Sequence, residues 1–167
     1  MKNQKGFTLL EILLVVAALS ILAAITIVAI NPTKQLGDTR NAQRRSDVNT
    51  LINAIYQYAI DHDGDITALG NLAPAGEVQI FASAAACPGT PTCGAKTVTG
   101  CVDMEAGLVE DYIVDMPTDP RYGSIDDPAA GDYYSDYYVD RSANGRITVG
   151  ACTPEGDAPV DPIEIKR

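Results

Sequence analysis

Among the 22 residues LLEILLVVAALSILAAITIVAI, from Leu9 to Ile30, Glu11 is the only charge. A carboxylate in such surroundings carries a penalty of several kcal/mol unless an opposite charge meets it. The chemistry it offers is therefore charge pairing. A cation carried by a neighbouring copy cancels the penalty only when the two chains lie in one axial register, so Glu11 would specify stagger more than add stability. The other reactive groups lie far downstream. They are Cys87, Cys93, Cys101 and Cys152, the lone histidine His62, and many carboxylates. An even cysteine count in a loop-rich segment points to disulfides and an oxidising compartment. Zinc would need close C-x-x-C pairs or histidines, and this chain has no C-x-x-C. Spacing does not choose among the three pairings that four cysteines allow.

Other chemistry is poorly represented. There is no G-x-S-x-G, no H-E-x-x-H and no P-loop, so no catalytic residue is assigned and no enzyme is expected. His62, in Asp61-His-Asp-Gly-Asp65, reads as a surface or capping residue at a helix end. No cofactor is expected, with calcium in the C-terminal acidic loops as the alternative. Asp126, Asp127, Asp132, Asp136 and Asp140 are the acids concerned, and calcium takes about six to eight oxygens from a shaped loop. Arg40, Arg44 and Arg45 form a basic patch that is either a solvated face or a contact to acidic segments of neighbouring copies. Three arginines beside so acidic a chain are a poor nucleic-acid footprint, and no nucleic-acid partner is predicted.

The elements that hold these groups follow from hydropathy and charge. The run from Leu9 to Ile30 is about the ~20 residues that cross a bilayer as a helix. It is longer than a cleavable secretory core and holds no Ala-x-Ala. Asn31-Pro32 then marks a kink or break. Beyond it Val48, Leu51, Ile52, Ile55, Tyr58 and Ala59 make one helical stripe, ending near Gly64. Gly64 to Arg167 carries 17 acidic against 6 basic residues, a net of -11, so the whole chain's -10 resides in this segment. Within it a strand is expected at Val78–Phe81 and a short helix near Met104–Tyr112 with Asp103 as N-cap. Strands at Tyr133–Asp140 and Arg146–Cys152 flank the turn signal Asn144-Gly145. The tyrosines 133, 134, 137 and 138 read as strand residues packing one face and exposing the other. Cys87 and Cys93 could close a small loop, and Cys152 at the hairpin end then has Cys101 as its preferred partner.

Gly6-Phe7-Thr8-Leu9-Leu10-Glu11, behind the basic leader MKNQKG, resembles the prepilin cleavage motif of type IV pilins and type II secretion pseudopilins. The close match covers roughly residues 5 to 45. The resemblance implies cleavage between Gly6 and Phe7 by a prepilin peptidase, N-methylation of Phe7, and retention of the apolar stem as filament core. It also implies that Glu11 pairs with the N-terminal ammonium of a neighbouring subunit. Many relatives have a proline where this chain has Val28, so the resemblance does not fix where this stem bends or melts on assembly. The basic residues Lys34, Arg40, Arg44 and Arg45 after the span would by count alone reverse its orientation; the leader motif and the acidic cysteine-bearing segment place that segment outside.

The expected architecture is α+β and pilin-like: a long N-terminal helix, membrane-spanning in its first half, packed against a C-terminal head with a small antiparallel sheet. Its divisions are a leader 1–6, an apolar helix 7–31, an amphipathic helix 32–63 and an acidic disulfide-bearing head 64–167. The expected partners are identical subunits, the prepilin peptidase and methyltransferase, an inner-membrane assembly platform, and membrane lipid before assembly. The expected function is a structural subunit of an extracellular filament serving adhesion, motility or DNA uptake. The alternatives are a pseudopilin of a secretion system and a non-polymerising single-span protein with a ligand-binding head.

Overall fold

The structure is a computed structural model that describes residues 6–70, 72, 78–82, 93–94, 96–121, 134–156 and 162–167. The chain divides into two units, 1–37 and 38–167. Leader residues 1–5, Cys87, Asp126, Asp127, Asp132 and Tyr133 lie outside the described residues.

In the first unit, helix α1 spans Leu9–Ile30. Its sequence is apolar on every side, and none of its residues is buried. At ~1.5 Å per residue its 22 residues extend ~33 Å, enough for a bilayer core of ~30 Å. The helix stops where proline requires it. Asn31 turns left-handed at φ 47, and Pro32 opens α2, Pro32–Asp61. Asn31 caps that second start, its backbone and side-chain oxygens accepting from the Lys34 amide at 3.1 and 3.4 Å.

The second unit is built on α2 from Asp38 onward. The predicted stripe is its buried face: Val48, Leu51, Ile52, Ile55 and Tyr58 are all in the core. Burying a large aliphatic side chain contributes ~1.5–3 kcal/mol, so this stripe anchors the unit. α2 ends beyond Asp61, where the Gly64 amide returns to the Ala59 carbonyl at 2.7 Å.

The strands are β1 (Val78–Ala82), β2 (Val98–Val102), β3 (Tyr134–Arg141), β4 (Ile147–Ala151) and β5 (Glu164–Lys166). They form one sheet in the order β2-β1-β3-β4-β5. Most pairs are antiparallel, as expected; β1 and β2 run parallel, so the sheet is mixed. β3 and β4 make the hairpin that Asn144-Gly145 predicts, closed by Ser142, whose amide donates to the Arg146 carbonyl at 2.8 Å. The expected helix near Met104–Tyr112 shrinks to a single turn, α3 (Glu105–Leu108). Asp103 precedes its N-cap Met104, yet its carboxylate accepts from the Glu105 amide at 3.0 Å.

β3 carries an irregularity that ties the sheet to the segment before Arg121. The β1–β3 register slips between Ile80 and Ala82, and Asp136 in β3 has φ 60, a bulge. The Ser135 hydroxyl bridges the gap, donating to the Phe81 carbonyl at 3.0 Å and accepting from the Tyr137 amide at 3.1 Å. The Ser135 carbonyl is thereby free to take the Asp119 amide at 2.8 Å.

Candidate functional site

The predicted processing and assembly residues lie together at the start of α1. Gly6, Phe7 and Thr8 are non-helical and exposed, the accessible backbone that a peptidase needs. Thr8 is the N-cap, its hydroxyl accepting from the Glu11 amide at 3.3 Å. Glu11 therefore stands at the third helical position, where the helix dipole favours a carboxylate; of the Thr-x-x-Glu capping pattern the structure forms the half in which the Thr8 hydroxyl accepts from the Glu11 amide. Its position in the first turn and its exposure leave it open to a neighbour.

Sequence reasoning missed a second constellation, in the other unit. Arg44 on α2 is fully buried. Its Nε and Nη2 donate to the two Asp119 carboxylate oxygens at 2.5 and 3.0 Å, a bidentate pair. Its Nη2 also donates to Glu155 at 3.1 Å and its Nη1 to Asn41 Oδ1 at 2.9 Å. Arg40 pairs with Glu155 through both ends of its fork, and Arg121 adds a third contact at 3.1 Å. Asn41 holds the Glu155 backbone at both ends, donating to its carbonyl and accepting from its amide. Three segments thus converge on one face of α2: the turn before Arg121, the β3 bulge and the strand exit at Thr153–Glu155. Two of the three arginines in the predicted basic patch are paired within this chain: Arg44 is fully enclosed, while Arg40 stays partly exposed beside Glu155. Arg45 alone remains exposed.

The electrostatics follow this geometry. Hydrogen bonds from Arg40 and then Arg44 hold Glu155 down at about 2. Burial works to discharge Arg44, but Asp119 and Glu155 together outweigh it and raise its pKa above the ordinary arginine value. Asp136 is pushed up to about 6, first by burial and further by Asp119, against a hydrogen bond from Thr153. Burial also raises Asp47, although Tyr137 Oη and Gln43 Nε2 donate to it at 2.7 and 2.8 Å. Charge-assisted contacts of this kind lock segments together; no nucleophile and base stand within them. Among the described residues no group of three or more His, Cys, Asp or Glu is arranged to hold a metal.

The tyrosines split as alternation predicts, but both faces are covered. Tyr137 enters the core beneath α2, while Tyr138 packs on the far face with Cys93 and Cys152. There the Tyr138 hydroxyl donates to Glu164 at 2.6 Å, and the Lys96 ammonium lies 4.3 Å from the ring centroid. His62 stacks on Tyr58 at 3.9 Å and touches the Tyr58 carbonyl, the helix-end role expected of it.

The disulfide pairing differs from the expectation. Cys93 is bonded to Cys152, which rules out both Cys87–Cys93 and Cys101–Cys152. Parallel pairing of β1 with β2 carries Cys101 opposite Ile80, while Cys93 forms a bridge turn with Lys96 next to the end of β4. Cys101 is disulfide-bonded as well.

Neither a curated protein nor a solved structure matches the chain. Residues 1–27 match the family model of the prokaryotic N-terminal methylation motif, so the chain carries, from its leader through Glu11 and most of α1, the signature of type IV pilins and pseudopilins.

Proposed function

We propose that this chain is a structural subunit of a type IV pilus-like filament. A prepilin peptidase cuts between Gly6 and Phe7, Phe7 is N-methylated, and α1 holds the subunit in the membrane until an assembly platform extracts it. The subunits then polymerise through α1 outside the cell. The observation that carries this reading is α1 itself. It is apolar all round, has no buried residue, and bears one carboxylate in its first turn. Such a helix requires lipid or other copies of itself around it. Glu11 then pairs with the new Phe7 ammonium of a neighbouring copy and fixes the stagger.

The test is a Glu11→Ala chain compared with wild type. Membrane insertion and cleavage should be unchanged while shed filaments, counted by electron microscopy, fall sharply. Normal filament yield from Glu11→Ala would refute the assembly role. Long surface filaments built mainly of this chain support a pilus; their absence in a secreting cell supports a pseudopilus.

A further inference from the structure

The acidic unit has two exposed apolar features on different sides of α2, one with a cluster of arginines beside it and the other with a cluster of carboxylates. The first is a groove of about 350 Å³ lined by Ile55, Tyr56, Ala59, Ile60, Ile66 and Ile147. Ile60 is 76% exposed beside it. Its floor residue Ile147 is ringed by arginine. Arg141 lies directly across the hairpin from Ile147, Arg146 precedes it, and Arg167 exchanges both backbone hydrogen bonds with it. None of these three forms an ion pair among the described residues, whereas Lys96, Arg121 and Lys166 in the same unit do. Gly64, which also lines the groove, is flanked in sequence by Asp63 and Asp65. The rim is thus of mixed charge, and the part beside Ile147, with its three arginines, is suited to receiving carboxylates.

The second feature is Val114, which is 96% exposed. Its neighbours Tyr112 and Ile113 pack into the core, which fixes the turn that projects it. Exposed Glu110, Asp111 and Asp115 surround it in sequence. Tyr58 shows where this turn lies, because its ring meets Tyr112 edge-on at 5.8 Å. At about 100° per residue, the groove residues Ile55, Ala59, Tyr56 and Ile60 point roughly 60°, 100°, 160° and 160° away from Tyr58. An apolar knob among carboxylates therefore sits on one side of α2, and an apolar groove with arginines beside Ile147 on another.

We propose that the groove receives Val114 of a second copy of this chain, with Glu110, Asp111 and Asp115 of that copy meeting Arg141, Arg146 and Arg167. The contact is heterologous: each copy offers its knob to one neighbour and its groove to another. Such a contact repeats from copy to copy, and within a filament whose helical rise keeps it from closing into a ring it runs on as an open array. The inference rests on the filament reading and adds to it a lateral contact that α1 does not supply.

The test uses the full chain. Filaments are prepared from a variant carrying both Val114→Cys and Ile60→Cys, and from each single variant. The double variant should give a ladder of disulfide-linked multimers on a non-reducing gel that collapses with reductant, and the single variants none. In parallel, Arg141→Glu with Arg146→Glu should lower filament yield about tenfold, and adding Asp111→Arg with Asp115→Arg should restore it to within about twofold of wild type. Wild-type filaments accompanied by neither ladder nor rescue would overturn this contact and leave the filament reading standing. A wild-type chain that forms no filaments would overturn the filament reading, and this contact with it.

Discussion

Replacing Arg44 with alanine would strip the cation from a clasp in which both partners are fully enclosed. The Arg44 and Asp119 side chains each have 0% exposure. Without the guanidinium, Asp119 keeps its place at the bulge through its own amide but loses the charge that two hydrogen bonds deliver. Breaking a buried pair by removing one partner costs ~3–5 kcal/mol. Glu155 is less affected, because Arg40 and Arg121 still contact it. For a unit of this size each kcal/mol moves the melting temperature by ~3 °C, so Arg44→Ala should melt roughly 10 °C lower. Urea or thermal denaturation of the full chain in detergent, followed by tyrosine near-UV circular dichroism, reads the change. The companion variant Arg44→Met with Asp119→Leu removes both charges and should regain most of the loss, because no buried carboxylate is stranded. A loss below ~1 kcal/mol for Arg44→Ala, or no recovery in the companion, would refute the clasp as the tie between α2 and the sheet.

The same cluster makes stability depend on pH in two opposed ways. Asp136 has its pKa raised from the ordinary 3.8 to about 6, so its contribution is greatest below the lower value and is lost as pH rises through about 6. Glu155 is lowered from 4.5 to about 2, so its contribution is present above 4.5 and is lost as pH falls toward 2. The melting temperature should therefore be higher at pH 5 than at pH 7.5, and Asp136→Asn should remove that difference; an unchanged difference in the variant would contradict the assignment. Cys93→Ser with Cys152→Ser opens a bridge across 59 residues, a loop whose closure is worth about 4 kcal/mol, readable as a lower urea midpoint. Gly70 has φ +67, and a Cβ there would lie 2.2 Å from the Asp103 carbonyl oxygen. Gly70→Ala should cost ~1–3 kcal/mol in the same assay, whereas an alanine at exposed Thr50 should leave the midpoint unchanged.

Features written in local spacing were legible in the sequence. The α2 stripe, the stop at Gly64, the break at Asn31-Pro32 and the Asn144-Gly145 hairpin each depend on residues within one or two turns of one another. β1 appears where a short apolar run predicts it. β2 and β5 were missed, since Val98–Val102 contains Gly100 and Glu164–Lys166 is only three residues long. Their strand character comes from pairing with neighbours already in place. The arginine clasp was missed for a related reason. Arg44 and its partners lie 75 and 111 residues apart, and in sequence a buried arginine looks the same as a solvated one. A usable signal was present: Arg44 falls one turn before Val48, on the stripe that enters the core. Disulfide pairing likewise depended on the parallel β1–β2 register, which no turn chemistry announces. At the N-terminus the reverse holds, because Thr8, Glu11 and the apolar run are meaningful without any tertiary contact.

On the proposed reading Phe7 becomes the first residue and α1 is retained behind it. Intact mass and N-terminal fragment analysis of this chain, taken from the cell envelope and from shed filaments, tests it most directly. The expected species is a chain lacking residues 1–6 and carrying one added methyl group on the Phe7 nitrogen, with every residue of α1 present. A chain that still begins at Met1, or one cut downstream of Ile30, would contradict it.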